Sequence, residues 1–114
     1  MQETVRAFKA LSDTSRIRII KMLEIRPLCV CEITAVLGLA TSTVSKHLSI
    51  LKNAGFIFDQ KENRWVNYYL NSASQLPHVK ELLPLLCKWL SDDMKIAKDK
   101  EKARIVNREK LCGT

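Results

Sequence analysis

The sequence predicts a mainly α-helical fold with one small β-hairpin. Apolar residues recur at helical spacing before position 55 and again after position 75. Between these regions, two runs of aromatic and β-branched residues flank a short polar segment, a pattern typical of a hairpin. The length of 114 residues suits a single domain, 1–114.

The first two helices follow from the spacing of apolar side chains. Apolar residues at every third position predict a first helix over about residues 2–11. A second helix is expected next, with Asp13 or Thr14 as its N-cap and Pro27 as its terminator. Its buried face is expected to consist of Ile17, Ile20 and Leu23.

The next two predicted helices form a helix-turn-helix. A third helix is expected over about residues 29–37, followed by a short turn that begins at Gly38. Thr41 or Ser42 is expected to cap a fourth helix that runs to about Ala54. Two short helices that are joined by a glycine-bearing turn, the second with a polar outer face, are typical of this motif.

The hairpin that follows is expected to be a wing. Segments 56–60 and 65–70 have strand composition, and the polar segment 61–64 between them predicts the turn. Because this hairpin comes directly after the helix-turn-helix, the fold class is predicted to be a winged helix-turn-helix.

A strongly apolar helix is predicted after the wing, over about residues 76–90. It has more apolar surface than one core-facing stripe needs, and Pro84 is expected to kink or restart it. We therefore predict a homodimer whose interface uses the first and last of these helices, about residues 2–12 and 76–92.

The rest of the chain is predicted to be less ordered. The segment 91–93, Ser-Asp-Asp, resembles an N-cap with acidic residues in the first turn. Residues 94–110 mix basic and acidic side chains with few apolar anchors, so a solvated or fraying helix is expected, with 93–114 as a mobile tail.

The charge of the chain indicates an anionic partner. Nineteen Lys and Arg residues against twelve Asp and Glu give a net charge of +7. Nucleic acid is the first choice and an acidic membrane surface the second. Because the N-terminus lacks a secretory h-region and no run of about 18 apolar residues occurs, we expect a cytoplasmic protein without membrane contact, whose thiols stay reduced.

The fourth helix and the wing supply the residues expected to contact double-stranded DNA. Short hydroxyl side chains let a helix lie deep in the major groove, and basic side chains neutralise phosphates. The candidates are Ser42, Thr43, Ser45, Lys46, His47, Ser49 and Lys52 on the fourth helix, and Lys61 and Arg64 in the hairpin. The alternative is that these are ordinary solvated side chains and that His47 packs at the domain surface.

The Cys29-Val30-Cys31 segment is the candidate site for a soft metal or metalloid. Within a regular helix, residues two apart point about 200° from each other, so both sulfurs cannot reach one ion. A shared ion therefore requires a non-helical or distorted first turn of the third helix, which offers a switch. We also expect the helix N-terminus to lower the pKa of these thiols. Alternatively, both are small buried apolar residues.

Three segments carry a resemblance to a known family. The runs 28–33, 42–48 and 64–68 resemble the ArsR family of arsenic-responsive repressors, and the similarity covers about residues 5–90. The resemblance implies a dimeric winged-helix repressor that releases operator DNA when As(III) or Sb(III) binds Cys29 and Cys31. No cofactor is required for DNA binding on this reading.

One position departs from the family pattern. The best-known members carry a third cysteine where this chain has Thr34. A hydroxyl is a poor ligand for As(III), so the third ligand is expected to be Cys112, Cys87, a small thiol or none.

Two other interpretations remain open at the level of sequence. The same fold could serve as a thiol redox sensor or a Cd(II) or Zn(II) sensor, or as a constitutive, sequence-tolerant DNA-binding protein with inert cysteines. An enzyme is not expected, because the sequence shows no nucleophile–base set, phosphate loop or paired catalytic carboxylates.

Overall fold

The structure, a computed structural model, describes residues 1–111. Over this range the elements follow the order α1 (Gln2–Leu11), α2 (Thr14–Leu23), β1 (Leu28–Cys29), α3 (Val30–Leu37), α4 (Thr41–Asn53), β2 (Ile57–Glu62), β3 (Trp65–Leu70), α5 (Pro77–Lys88), α6 (Met94–Ile105) and α7 (Arg108–Leu111). Within the described range, no helix is both long and apolar enough to cross a bilayer.

The first two helices are joined by a short connection that Arg16 holds in place. Asp13 caps α2, because its side chain accepts a hydrogen bond of 3.1 Å from the Arg16 backbone N–H. The Arg16 guanidinium donates to the carbonyls of Ala10 and Lys9 at 2.8 and 3.2 Å, and the Lys9 carbonyl also accepts from the Ser12 backbone N–H. Arg16 thus helps to satisfy the carbonyls at the end of α1. The α2 helix ends at Leu23, before Pro27 is reached.

The third helix begins one residue later than the sequence predicts. Cys29 lies in the short strand β1 with extended backbone angles, φ −91° and ψ 170°, and serves as the N-cap of α3. Gly38 ends α3 in the left-handed conformation, with φ 71°, a conformation that glycine adopts without a steric penalty.

The fourth helix lacks the side-chain cap that the sequence predicts. Thr41 and Ser42 were expected as N-caps, but the N-cap is Ala40, which has extended angles and no side chain that could accept a hydrogen bond. The prediction was wrong because Thr41 is already helical, and an N-cap residue must lie outside the helix.

The wing forms the larger part of a three-stranded antiparallel sheet with the order β1-β3-β2. The hairpin is tighter than predicted, because Lys61 and Glu62 continue β2 and Asn63 makes the turn with φ 59°. Strand β1 is too short to predict from composition. It pairs with β3, so that Cys29 lies opposite Asn67.

The core lies between α2, α4 and the start of the wing. The completely or almost completely buried side chains there are Ile19, Ile20, Met22, Val44, Leu48, Leu51, Phe56 and Ile57. The inward face of α4, which consists of Val44, Leu48 and Leu51, therefore belongs to the core.

Helix α5 runs through Pro84 without restarting. Its C-terminus is closed by the buried side chain of Lys21, whose Nζ donates to the carbonyls of Leu86 and Trp89, both at 2.8 Å. The same ammonium lies 2.8 Å from Glu24 Oε2. The Lys21 ammonium thus satisfies carbonyls that a helix C-terminus leaves open.

Helix α6 packs against α2 and α3, whereas the sequence predicted a solvated or fraying helix. Asp93, within the predicted capping segment, accepts a hydrogen bond of 3.0 Å from the N–H of Ile96. Asp99 is buried and receives two hydrogen bonds from the Arg18 guanidinium, at 2.7 and 2.9 Å. The apolar anchors are few, as the sequence indicates, but the buried ion pair supplements them.

Candidate DNA-binding face and thiol site

The outer face of α4 is polar and exposed. Val44, Leu48 and Leu51 fix the orientation of the helix because they are buried in the core. The side chains on the opposite face all lie exposed to solvent: Ser42, Thr43, Ser45, Lys46 and Ser49. These five predicted DNA-contacting residues therefore share one accessible surface, which is convex because it belongs to a single helix.

His47 lies at the edge of this face and is half-buried. Its Nδ1 is 3.1 Å from the Arg16 guanidinium, which can only donate, so Nδ1 is the acceptor. This contact ties α4 to α2 and to the end of α1. His47 thus has a role in positioning α4, which sequence reasoning had considered as the alternative to DNA contact.

Lys52, at the end of α4, pairs with the wing. Its ammonium lies 3.0 and 3.2 Å from the two carboxylate oxygens of Asp59 on β2. Because both side chains are partly exposed, the pair contributes little to stability. The charge that was predicted to neutralise a phosphate is instead partly compensated within the protein.

The tip of the wing carries the two predicted basic residues. Lys61 is exposed on β2, and the Arg64 guanidinium lies over the ring of Trp65 at 4.8 Å from its centroid. Arg108 of α7 also lies over this ring, at 5.1 Å. Sequence reasoning missed Arg108, because nothing in the composition of the tail indicates which residue reaches the wing.

Cys29 is buried at the junction of β1 and α3, with 4% of its surface exposed. Its backbone N–H donates to Glu32 Oε1 at 3.0 Å, and the two residues form a reciprocal capping box. The other Glu32 oxygen, Oε2, accepts a hydrogen bond of 3.0 Å from Arg26. Cys29 is therefore held by its backbone at the first residue before the helix-turn-helix.

The pKa of the Cys29 thiol is raised, contrary to the sequence-based expectation. Burial is the largest cause, and the nearby Glu32 carboxylate adds to it. The backbone N–H groups of Glu32 and Cys31 lower the pKa, but by less than burial raises it. Burial raises the pKa of Cys29 by more than the backbone N–H groups at the helix N-terminus lower it, so the thiol is protonated at neutral pH.

The two sulfurs of the candidate site are in different states. Cys31, in the first turn of α3, is disulfide-bonded, whereas Cys29 and Cys87 are free thiols. Cys29 has an extended backbone and lies just before α3, so the two cysteines are not both part of one regular helix.

The structure does not assemble a third ligand from the described residues. Within 1–111, no three His, Cys, Asp or Glu side chains come together as a metal site. Cys87 lies on α5, near Lys21 and Glu24, and the residue as a whole is exposed. Partial burial of its sulfur nevertheless raises the pKa of the thiol. Thr34 places its Oγ1 in the interior without a hydrogen-bond partner. Cys112, the other candidate, lies outside the described residues.

Cys29 and, once its disulfide is reduced, Cys31 offer two sulfur ligands, a number that suits a low-coordinate, thiophilic centre. Sulfur ligands favour soft centres such as As(III), Sb(III) or Cd(II). Two cysteines do not complete the tetrahedral site that structural Zn(II) prefers.

Comparison with known proteins places the chain in a family. The model of "Bacterial regulatory protein, arsR family" matches residues 13–58, from the cap of α2 to the start of the wing. The arsenic resistance transcriptional regulator ArsR2 of Pseudomonas putida is 35% identical over 92 residues, which cover 75% of this chain and 78% of that protein. The chain belongs to the ArsR family.

Two further relatives of this ArsR-family protein differ in the metal named in their descriptions. The arsenical resistance operon repressor of Escherichia coli is 34% identical over 66% of this chain, and a cadmium resistance regulatory protein, a CadC homologue of Staphylococcus aureus, is 38% identical over 71%. The matched regions span 61% and 64% of those two proteins.

The fold comparison agrees with the family assignment. Reduced HlyU from Vibrio cholerae superposes with a TM-score of 0.64 at 30% identity, covering 79% of this chain and 90% of that one. The predicted winged helix-turn-helix fold of this ArsR-family protein is thereby confirmed.

Proposed function

We propose that this protein is a transcriptional repressor that binds operator DNA as a homodimer and releases it when As(III) or Sb(III) binds Cys29 and Cys31. One observation carries the proposal. Cys29 is at once the N-cap of α3, the first helix of the helix-turn-helix, and the strand partner of Asn67 in the wing. A ligand on its sulfur therefore acts on both DNA-binding parts.

DNA binding is supported by the two surfaces that a winged helix presents to a duplex. The exposed polar face of α4 suits the major groove, and Lys61 and Arg64 at the wing suit the backbone or minor groove. The net charge of +7 provides the attraction that brings a DNA-binding protein to its polyanionic partner.

Homodimer formation is supported by an exposed apolar surface on α1 and α5. Phe8 and Trp89 are 57% and 50% exposed, and Val5, Leu85 and Leu90 are exposed with them. Helices α1 and α5 pack against each other, and Trp89 and Leu90 follow directly after the end of α5, so these residues belong to neighbouring parts of the fold. A second copy of the same surface would cover them, and would place two recognition helices on one duplex.

Release of DNA follows from the backbone contacts of Cys29. The binding step applies to reduced protein, in which the Cys31 disulfide has been opened by an added thiol. The two thiols that share one As(III) each replace a hydroxide of arsenous acid, so two As–O bonds break, two As–S bonds form and two waters leave. Because the thiol protons complete these waters, the raised pKa of Cys29 does not prevent binding. Bringing both sulfurs to one atom strains the capping box of Cys29 with Glu32 and its pairing with Asn67.

A gel-shift titration of reduced protein tests the proposal. The DNA is an operator selected from a random-sequence pool, and the ligands are As(III), Sb(III), Cd(II), Zn(II) and peroxide. We expect Cys29→Ser and Cys31→Ser to bind the operator within about twofold of the wild type but to lose release by As(III). Cys87→Ser is the matched control and should respond like the wild type, and Cys112→Ser asks whether that residue contributes a ligand. If the double variant, Cys29→Ser with Cys31→Ser, still released the operator on addition of As(III), the assigned site would be wrong.

A second candidate function, thiol redox sensing, is favoured by the state of Cys31. In the structure Cys31 is disulfide-bonded whereas Cys29 is a free thiol, which supports a redox role for Cys31. In that case peroxide would release the operator and As(III) would not. The same titration distinguishes the two functions, and a response to Cd(II) alone would indicate the metal named for the Staphylococcus aureus relative.

A further inference from the structure

A series of contacts leads from the thiol site to the C-terminal segment, by which we mean the end of α6 and α7, residues 104–111. The Cys29 N–H is bound to one oxygen of Glu32 at 3.0 Å, and the other oxygen accepts from Arg26 at 3.0 Å. The same Arg26 nitrogen donates to the carbonyl of Val106 at 2.8 Å, between α6 and α7. Because Glu32 is 2% exposed, water competes little for these hydrogen bonds.

A second series of contacts returns from the C-terminal segment to the thiol site. Arg108, two residues after Val106, donates to Asn67 Oδ1 at 2.6 Å and lies over the Trp65 ring at 5.1 Å. Asn67 is the strand partner of Cys29. The two series therefore form a closed ring that begins and ends at the sensing cysteine.

The Asn67 side chain is fixed at both ends in this ring. Its Nδ2 donates to Glu62 Oε1 at 2.6 Å, and the same oxygen accepts from the Tyr69 hydroxyl at 2.6 Å. Asn67 is only 6% exposed, so losing Arg108 would leave its oxygen without a charged donor in a site that water reaches poorly. Arg108 thus adds a charged contact to β3, which is also paired with β1 and β2.

We propose that Arg108 is a positioning residue that clamps the wing to the C-terminal segment and transmits the state of the thiol site to the wing. The inference rests on the proposed function, which makes Cys29 a sensing residue. Movement of Cys29 must change its pairing with Asn67 or its bond with Glu32. Since both contacts lie in the ring, either change also acts on α7 and on β3.

The test compares Arg108→Ala with Arg104→Ala. Arg104→Ala is the matched control, because it also removes a positive charge from the C-terminal segment. The Arg104 side chain is exposed and pairs only with Glu101 among the ion pairs of the described residues. Operator dissociation constants are measured with and without As(III), and As(III) affinity is measured separately. The ratio of the operator dissociation constant with As(III) to that without As(III) measures how strongly the inducer weakens DNA binding. We expect Arg108→Ala to lower this ratio about 3- to 10-fold. Its As(III) affinity should stay within about twofold, and Arg104→Ala should leave both quantities unchanged.

Amide hydrogen exchange provides a measurement that needs no inducer. In Arg108→Ala, residues 65–67 should exchange about tenfold faster, while the buried residues of α2 keep their wild-type protection. Unchanged exchange at 65–67, or an unchanged ratio of dissociation constants, would overturn the clamp. If As(III) did not change the operator affinity of the wild-type protein, the proposed function would be contradicted. The hydrogen exchange would still decide whether Arg108 holds β3.

Discussion

At the scale of single residues, Lys21 has the environment that sequence reasoning anticipates least. It is a completely buried lysine within a helix that otherwise buries apolar side chains. Its ammonium is stabilised by carbonyls at the end of α5 and by the Glu24 carboxylate, which itself lies 3.0 Å from Lys100. A buried charge is tolerated only when such partners surround it.

We expect Lys21→Met to lower the free energy of unfolding by about 3 kcal/mol, because the α5 carbonyls lose their donor and Glu24 loses a cation. Urea denaturation at neutral pH measures the change. Lys88→Met, at an exposed lysine of α5, is the control and should cost less than about 0.5 kcal/mol. Equal losses in the two variants would show that the buried contacts of Lys21 add nothing.

At the scale of elements, the sharp start of α2 depends on Asp13. Burial would raise the pKa of the Asp13 carboxyl, but the hydrogen bond from the Arg16 backbone and the positive charge of Arg16, with a smaller contribution from the nearby His47, outweigh this, so the pKa is lowered from 3.8. A lowered pKa in the folded state means that the carboxylate stabilises the protein above the pKa of the unfolded state. That contribution is lost as the pH falls through the folded-state pKa.

Asp13→Ala should therefore cost about 1 kcal/mol of unfolding free energy at pH 7. The difference from the wild type should persist down to the unfolded-state pKa of 3.8 and shrink below it. Urea denaturation at several pH values between 7 and 3 measures this dependence. Asp92→Ala removes an acid from an exposed position outside the helices and should show no such dependence. A pH-independent cost for Asp13→Ala would show that its charge is not what stabilises α2.

At the scale of the whole molecule, the proposed dimer interface is the exposed apolar surface of α1 and of α5 with the two residues that follow it, Trp89 and Leu90. If this surface pairs with its copy, a charge in its centre would have to be desolvated without a partner. We expect Phe8→Glu to shift the protein from dimer to monomer in sedimentation velocity at about 10 µM, and to weaken operator binding at least about tenfold.

Ile105→Glu is the control for this prediction. Ile105 is also an exposed apolar residue, but it lies at the end of α6, on an element outside the proposed interface. It should leave the oligomeric state unchanged. A wild-type protein that sediments as a monomer at this concentration would contradict the proposed dimer.

Much of the fold can be predicted from the sequence, and the failures share a cause. The bounds predicted for α1 are those observed, and the helix-turn-helix and the wing follow from patterns within a few residues. Strand β1 was missed because two residues give no periodic signal. The packing of α6 was missed because a mixed charge pattern does not reveal that one acid, Asp99, is buried against Arg18.

The candidate site was predicted as a set of residues but not as an arrangement. Sequence patterns singled out Cys29, Cys31 and the polar face of α4, and these positions lie within residues 13–58, which the family model matches. The protonated state of the Cys29 thiol could not be predicted, because the pKa depends on burial by residues distant in sequence. Neither could the pairing of Lys52 with Asp59, which requires the wing to fold back on α4.

The sequence by itself determined the elements of this protein, since helices and hairpins depend on side chains a few positions apart. Only the tertiary structure decided how the Cys-Val-Cys segment connects with the DNA-binding parts. That connection uses pairing between Cys29 and Asn67 and a bond from Arg108 to Asn67, 41 positions away. Burial and hydrogen bonding over such separations follow from how the elements pack together, and no local spacing of residues specifies them.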